Sequence, residues 1–248
     1  METKTMTTPT TERRSISLAD AGVQLRAAGE DGQADRFVGL SAVYGVRVPI
    51  GDPRTWGFFE EFLYGTFTES LAEDDQRMLI DHDTYYIVSR KSAGDLLQAE
   101  SPRGIEIDSQ LDMDLSYVRD LKVNVQKRRI TGMSIAFRPK PDGERWSVIE
   151  VEEPRGDGKV EVYKAELRQV SNAWVFEHSA VSFPAFPSTE ADLRSAAIER
   201  RQQRPELAEQ LAGDENRRRL EHPDAARIVR HFDLGRRIRH DKGKVSGQ

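Results

Sequence analysis

The chain has 248 residues, carries 37 lysines and arginines against 42 aspartates and glutamates for a formal net charge of −5, and contains no cysteine. That length holds one medium domain of roughly 150 residues with polar extensions, or two small domains. Without a thiol, a cysteine nucleophile, a disulfide framework and a thiolate zinc site are excluded. The mildly acidic balance by itself says nothing about a nucleic-acid partner for the whole chain, and none is expected. The opening METKTMTTPTTERRS has no apolar signal core and no run approaches the length of a membrane span, so neither export nor membrane insertion is expected.

In chain order, residues 1–34 are rich in Thr, Ser, Gly, Ala and charge without a sustained apolar period, which predicts a disordered N-terminal arm. A folded body is expected over 35–197. Residues 37–45 alternate loosely and read as a strand, and the aromatic stretch 56–63 precedes a short helix near 66–72. Met78-Leu79-Ile80 is a short apolar run ending on Asp81-His82-Asp83, and Tyr85-Tyr86-Ile87-Val88 reads as a further strand. Between 114 and 129, Leu115, Val118, Leu121 and Val125 recur as one face of an amphipathic helix would. A strand follows at 130–137. Two alternating stretches, 146–151 and 159–170, flank a Pro154–Gly158 connection as in a hairpin. The last strand, 174–183, runs into two prolines that end the sheet. Residues 198–248 form a charged, partly helical tail, interrupted by Pro205 and basic toward its end. Many short strands with a few helices predict an α+β class with a mostly antiparallel, barrel-like body.

Serine hydrolysis needs a hydroxyl, a base within hydrogen-bond reach and a group that orients the base. Of five histidines, His222, His231 and His240 fall in the tail, leaving His82 and His178 in the body. His82 stands where an apolar strand meets polar residues, although a surface histidine in an acidic turn looks the same. Ser134 lies in Thr131-Gly132-Met133-Ser134-Ile135-Ala136-Phe137, with small Gly132 and Ala136 on either side; glycine in a strand often marks close backbone approach. Glu177 and His178 sit in an apolar strand, where a buried charge requires partners. Strand alternation puts them on opposite faces, and either could meet His82.

Several segments, in order, resemble the prohead maturation proteases of tailed phages, whose fold is similar to that of the herpesvirus assemblins. Val38 to Gly45 is similar to the family's glycine-tyrosine opening, and Tyr64-Gly65-Thr66-Phe67 to its Pro-Gly-Ala-Phe motif. Asp81-His82-Asp83, followed by Arg90, resembles Asn-His-Asp and its downstream arginine. Ser116 to Leu121 resembles the family's helix start. The Ser134 segment resembles Ser-Gly-Met-Ser-Phe-Gly-Phe, and Glu177 to Ala185 resembles the closing Glu-Val-Ser-Leu-Val-x-x-Pro-Ala. Coverage is roughly residues 36–195.

The resemblance implies a serine endopeptidase with Ser134 as nucleophile, His82 as base and Glu177 as third member. His178 is the alternative third member, since assemblins use a second histidine there. It implies substrates in the major capsid protein and the scaffold protein, autoproteolysis, a homodimer, and a location inside the prohead in the host cytoplasm. No cofactor or metal is implied, and backbone N–H groups would serve as oxyanion donors. Two rival readings stand beside it. One is a non-catalytic capsid-assembly or scaffold protein with a degenerate protease fold. The other is a metal-dependent hydrolase using Asp81, His82 and Asp83 with acids from 108–120.

Overall fold

The computed structural model describes residues 11–27, 34–154, 160–184, 199 and 201–212. Among them run β1 (Glu12–Ser17), β2 (Gln24–Arg26), β3 (Arg36–Val43), β4 (Val48–Ile50) and β5 (Phe58–Phe62). Helix α1 (Thr68–Glu73), β6 (Arg77–Ile80), β7 (Asp83–Arg90), β8 (Leu96–Ser101) and β9 (Gly104–Gln110) follow. Then come α2 (Ser116–Gln126), β10 (Gly132–Pro139), β11 (Glu144–Pro154), β12 (Val160–Val170), β13 (Ala173–Val181) and α3 (Pro205–Leu211).

The class is α+β. The strands form three open sheets, ordered β1-β10-β13-β6-β7, β11-β12-β5-β4 and β2-β3-β9-β8, and no barrel closes among the described residues. At the edge of one sheet β4 spans three residues with Pro49 at its centre, and proline cannot donate to a further ladder.

Side-chain alternation builds the core. In β9, Ile105 and Ile107 are fully buried while Glu106 is exposed. In α2, Val118 and Leu121, three residues apart, form the buried stripe. The strand β10 is buried along residues 132–137 because β1 and β13 flank it on both edges. Its inward residues Met133, Ile135 and Phe137 join the main core, where Phe137 meets Phe62 and Phe67 edge-to-face at centroid distances of 5.0 and 6.2 Å. Two of the motif segments, which supply Tyr44 and Phe67 to the same core, also converge on one carboxylate. Glu100 accepts hydrogen bonds from the Tyr44 hydroxyl and from the Phe67 backbone N–H.

One feature differs from the sequence expectations. Residues 12–17 and 24–26, read as part of a disordered arm, are strands paired with β10 and β3. Both strands are held by distant partners that the local composition of the arm does not reveal: β2 by β3, and β1 by β10 together with buried Glu60 and Arg168. As the sequence predicts, helical residues 199 and 201–202 do not continue through Pro205; the proline instead stands in the first turn of a new helix, where the missing N–H costs nothing. That helix docks on the body. Arg204 stacks on Trp146 at 3.7 Å, and just before it Arg201 donates to the Thr55 carbonyl and to Glu166. The Pro154–Gly158 connection beyond Pro154, the segment 185–198 and the basic tail from 213 onward lie outside the described residues.

Candidate active site

The site is assembled from a turn and two strands. Ile80 pairs with Asp83 across the β6–β7 hairpin, leaving Asp81 and His82 as a two-residue loop. Their φ angles are 50° and 60°, the left-handed pair that a type I′ turn requires. Aspartate and histidine tolerate this region better than most residues. The loop is stapled to the end of β13. Asp81 Oδ1 accepts from the Ser182 N–H at 2.7 Å, Oδ2 accepts from the Ser182 hydroxyl at 2.8 Å, and the His82 N–H donates to Ser179 Oγ at 3.2 Å.

This turn brings the His82 ring over the outer face of β10 and β13. Nε2 lies 2.9 Å from Ser134 Oγ, and Nδ1 lies 2.5 Å from Glu177 Oε1. Ser134 is fully buried and the other two side chains are each 11 % exposed, so little water competes for these contacts. Ser134 occupies the face of β10 opposite the core, together with Gly132 and Ala136. A Cβ on Gly132 would sit 2.5 Å from the Pro184 ring and 2.8 Å from the Ile16 carbonyl, so only glycine lets the chain cross there. Ser134 has a further contact that sequence reasoning missed: its hydroxyl lies 3.1 Å from the carbonyl oxygen of Arg14 in β1.

The choice between Glu177 and His178 turns on a bulge. The register pairs Ala136 with Glu177 and Phe137 with Val175, leaving Phe176 as an extra, partly exposed residue. Strict alternation would put Glu177 on the core side with Val175. The bulge shifts the phase, turning Glu177 and Ser179 toward His82 and His178 into the core. The Ser179 hydroxyl donates to Glu177 Oε2 and thereby orients the carboxylate. His178 is wholly buried, and its Nε2–H donates to Gln98 Oε1 at 2.9 Å. Burial pushes the His178 pKa down to about 4, so the ring is neutral at pH 7.

The acids of the metal reading do not converge. Asp81 holds Ser182, Asp83 accepts the Tyr85 N–H, Asp108 pairs with Arg36, and Asp112 accepts the Asp114 N–H. Among the described residues, no three His, Asp or Glu side chains stand ready to share a metal ion.

A family model for caudovirus prohead serine proteases matches residues 24–204, nearly three quarters of the chain. The chain belongs to this family. As a prohead serine protease it is a hydrolase of peptide bonds with a role in phage capsid maturation. The matched span contains the Asp81–His82 turn, β10 and β13, and β1 lies ahead of it. No curated protein and no solved structure matches the chain. Among the described residues no helix of this prohead protease is long and apolar enough to cross a membrane.

Proposed function

We propose that the chain is a serine endopeptidase in which Ser134 is the nucleophile, His82 the general base and Glu177 the residue that orients the base. The observation that carries this reading is the continuous relay from Ser134 Oγ through His82 Nε2 and Nδ1 to Glu177 Oε1. With Nδ1–H donated to the carboxylate, the Nε2 lone pair is fixed toward the serine. In the reaction His82 takes the Ser134 proton as Oγ attacks a peptide carbonyl, then returns it to the departing amine. Glu177 stabilises the imidazolium formed between those steps and keeps the tautomer. Family membership supports substrates in the capsid and scaffold proteins of the immature shell, with the chain's own extensions as further targets.

The test is co-expression with the cognate capsid and scaffold proteins, as wild type, Ser134→Ala and His82→Ala, followed by intact-mass analysis. Trimming by wild type alone is the expected result. Identical, uncut masses in assembled shells for all three chains would leave an assembly protein without catalysis.

A further inference from the structure

Ser134 faces two acceptors with one proton. His82 Nε2 lies 2.9 Å from its Oγ and the Arg14 carbonyl oxygen 3.1 Å. A serine hydroxyl carries a single hydrogen, so donating it to Arg14 withdraws it from the imidazole. Arg14 belongs to β1, the antiparallel neighbour of β10, in which Ser15 stands directly opposite Ser134. An extended strand that pairs with the nucleophile's strand, and turns a main-chain carbonyl to the nucleophile, has the geometry of a peptide added to a sheet edge. This strand lies outside the span shared with the family.

The side chains of β1 are held as a ligand's would be. Arg14 makes a two-pronged ion pair with Glu60, its Nη2 lying 2.8 Å from Oε2. Glu12, two residues earlier, is gripped by Arg168, whose Nη1 and Nη2 donate to it at 2.8 and 2.9 Å. Glu60 and Arg168 are themselves only 3 % and 2 % exposed, and they bond each other at 2.8 Å. They form a preassembled pair of opposite charges that reads an arginine and a glutamate on one face of a strand. Beside Arg14 a small cavity of about 30 Å³ stays unfilled, lined by Val46, Val48, Phe62 and the buried Ser41, whose hydroxyl has no partner. β1 therefore fills this groove without completing its polar contacts.

We propose that β1 is a resident occupant of the substrate-strand site along β10, and that this site selects extended peptides through Glu60 and Arg168. The preferred peptide carries arginine at the residue whose carbonyl faces Ser134 and glutamate two residues before it. This rests on the reading of Ser134 as the nucleophile. In the described state the protein blocks itself, and a substrate strand enters by exchanging with β1.

The experiment measures the rate at which Ser134 of the full chain is labelled by a fluorophosphonate, read by intact mass. It compares wild type, Arg14→Ala, Arg14→Lys and Arg13→Ala, each checked for folding by circular dichroism. Arg13 is exposed, and its variant reports the general effect of altering the strand. Arg14→Ala is expected to label about tenfold faster than wild type, with Arg14→Lys between them and Arg13→Ala near wild type. A peptide copying residues 11–18 is expected to be cut about tenfold faster than its counterpart with alanine in place of the second arginine. Equal labelling by wild type and both Arg14 variants, with no preference between the peptides, overturns the proposal while leaving the nucleophile in place. Absence of labelling in every folded chain overturns the nucleophile reading and this proposal with it.

Discussion

Glu177 meets His82 with one carboxylate oxygen and Ser179 with the other, while the Ser179 hydroxyl also accepts the His82 backbone N–H. The carboxylate of Glu177 and the backbone of His82, the proposed base, are thus referenced to the same hydroxyl. Ser179→Ala is expected to lower kcat about tenfold with little change in KM, because the ring loses alignment and the groove does not. Steady-state kinetics on a cleavable peptide checks this, and a rise in KM with kcat unchanged would contradict it.

Replacing Glu177 by glutamine should cost far more. A neutral amide presents an N–H where Nδ1–H needs an acceptor, favouring the wrong tautomer, and kcat is expected to fall by about 10³–10⁴. His178→Gln, altering a core ring bonded to Gln98, is expected to change kcat by less than about threefold while lowering stability. A reversed ranking of the two variants would make His178 the orienting residue.

The turn that carries His82 is a separate point of failure. Asp81→Ala removes both bonds to Ser182 and leaves a Cβ-bearing residue without polar compensation at a φ of 50°. A loss of about 1–2 kcal/mol is expected, with a larger fall in activity than that loss alone would give. Asp81→Asn, which suits the same φ and keeps one acceptor, should retain most of both. Urea titration alongside the kinetic assay separates the two effects.

His178 makes stability pH-dependent in one direction. Burial lowers its folded pKa to about 4, below the ordinary histidine value of 6.5. Above pH 6.5 both folded and unfolded forms are neutral and the group contributes no slope. As the pH falls from 6.5 toward 4 the unfolded chain binds a proton that the folded chain does not, and stability is lost. The loss is on the order of 3 kcal/mol across that window. Urea midpoints at pH 7, 5.5 and 4.5 should show it, and His178→Met should flatten this part of the profile.

The ion network beside β1 is a liability if halved. Arg168→Ala strips Glu60 and Glu12 of a shared partner, leaving Glu60 nearly buried with only Arg14 to balance it. A destabilisation of about 3–5 kcal/mol is expected by thermal or chemical unfolding. A change below about 1 kcal/mol would show that water reaches these groups freely.

His82 and Ser134 as candidates, the order of most elements and the α+β class could be read from the sequence, because they rest on local signals. Short motifs surround His82, Ser134 and Glu177, and alternation or helical spacing marks the strands and α2. What could not be read depends on pairing at a distance. The strand β1 has little apolar content of its own and is fixed by β10, Glu60 and Arg168. The choice between Glu177 and His178 was open because alternation assumes an unbroken register, and the extra residue Phe176 breaks it. The sequence expectation placed His82 at a strand end; two positive φ angles put it instead at the tip of a hairpin.

The three members of the proposed triad also enter the chain far apart, at positions 82, 134 and 177, and the last strand is what joins them. β13 lies between β10 and β6, pairing antiparallel with one and parallel with the other. Until it is inserted, the turn bearing His82 has no ordered route to Ser134. Pairings across such sequence separations form late, after the loop-closure entropy has been met. The proposed relay can therefore be complete only after the chain has been made through β13, which ends at Val181, so a nascent protease would be idle for most of its synthesis.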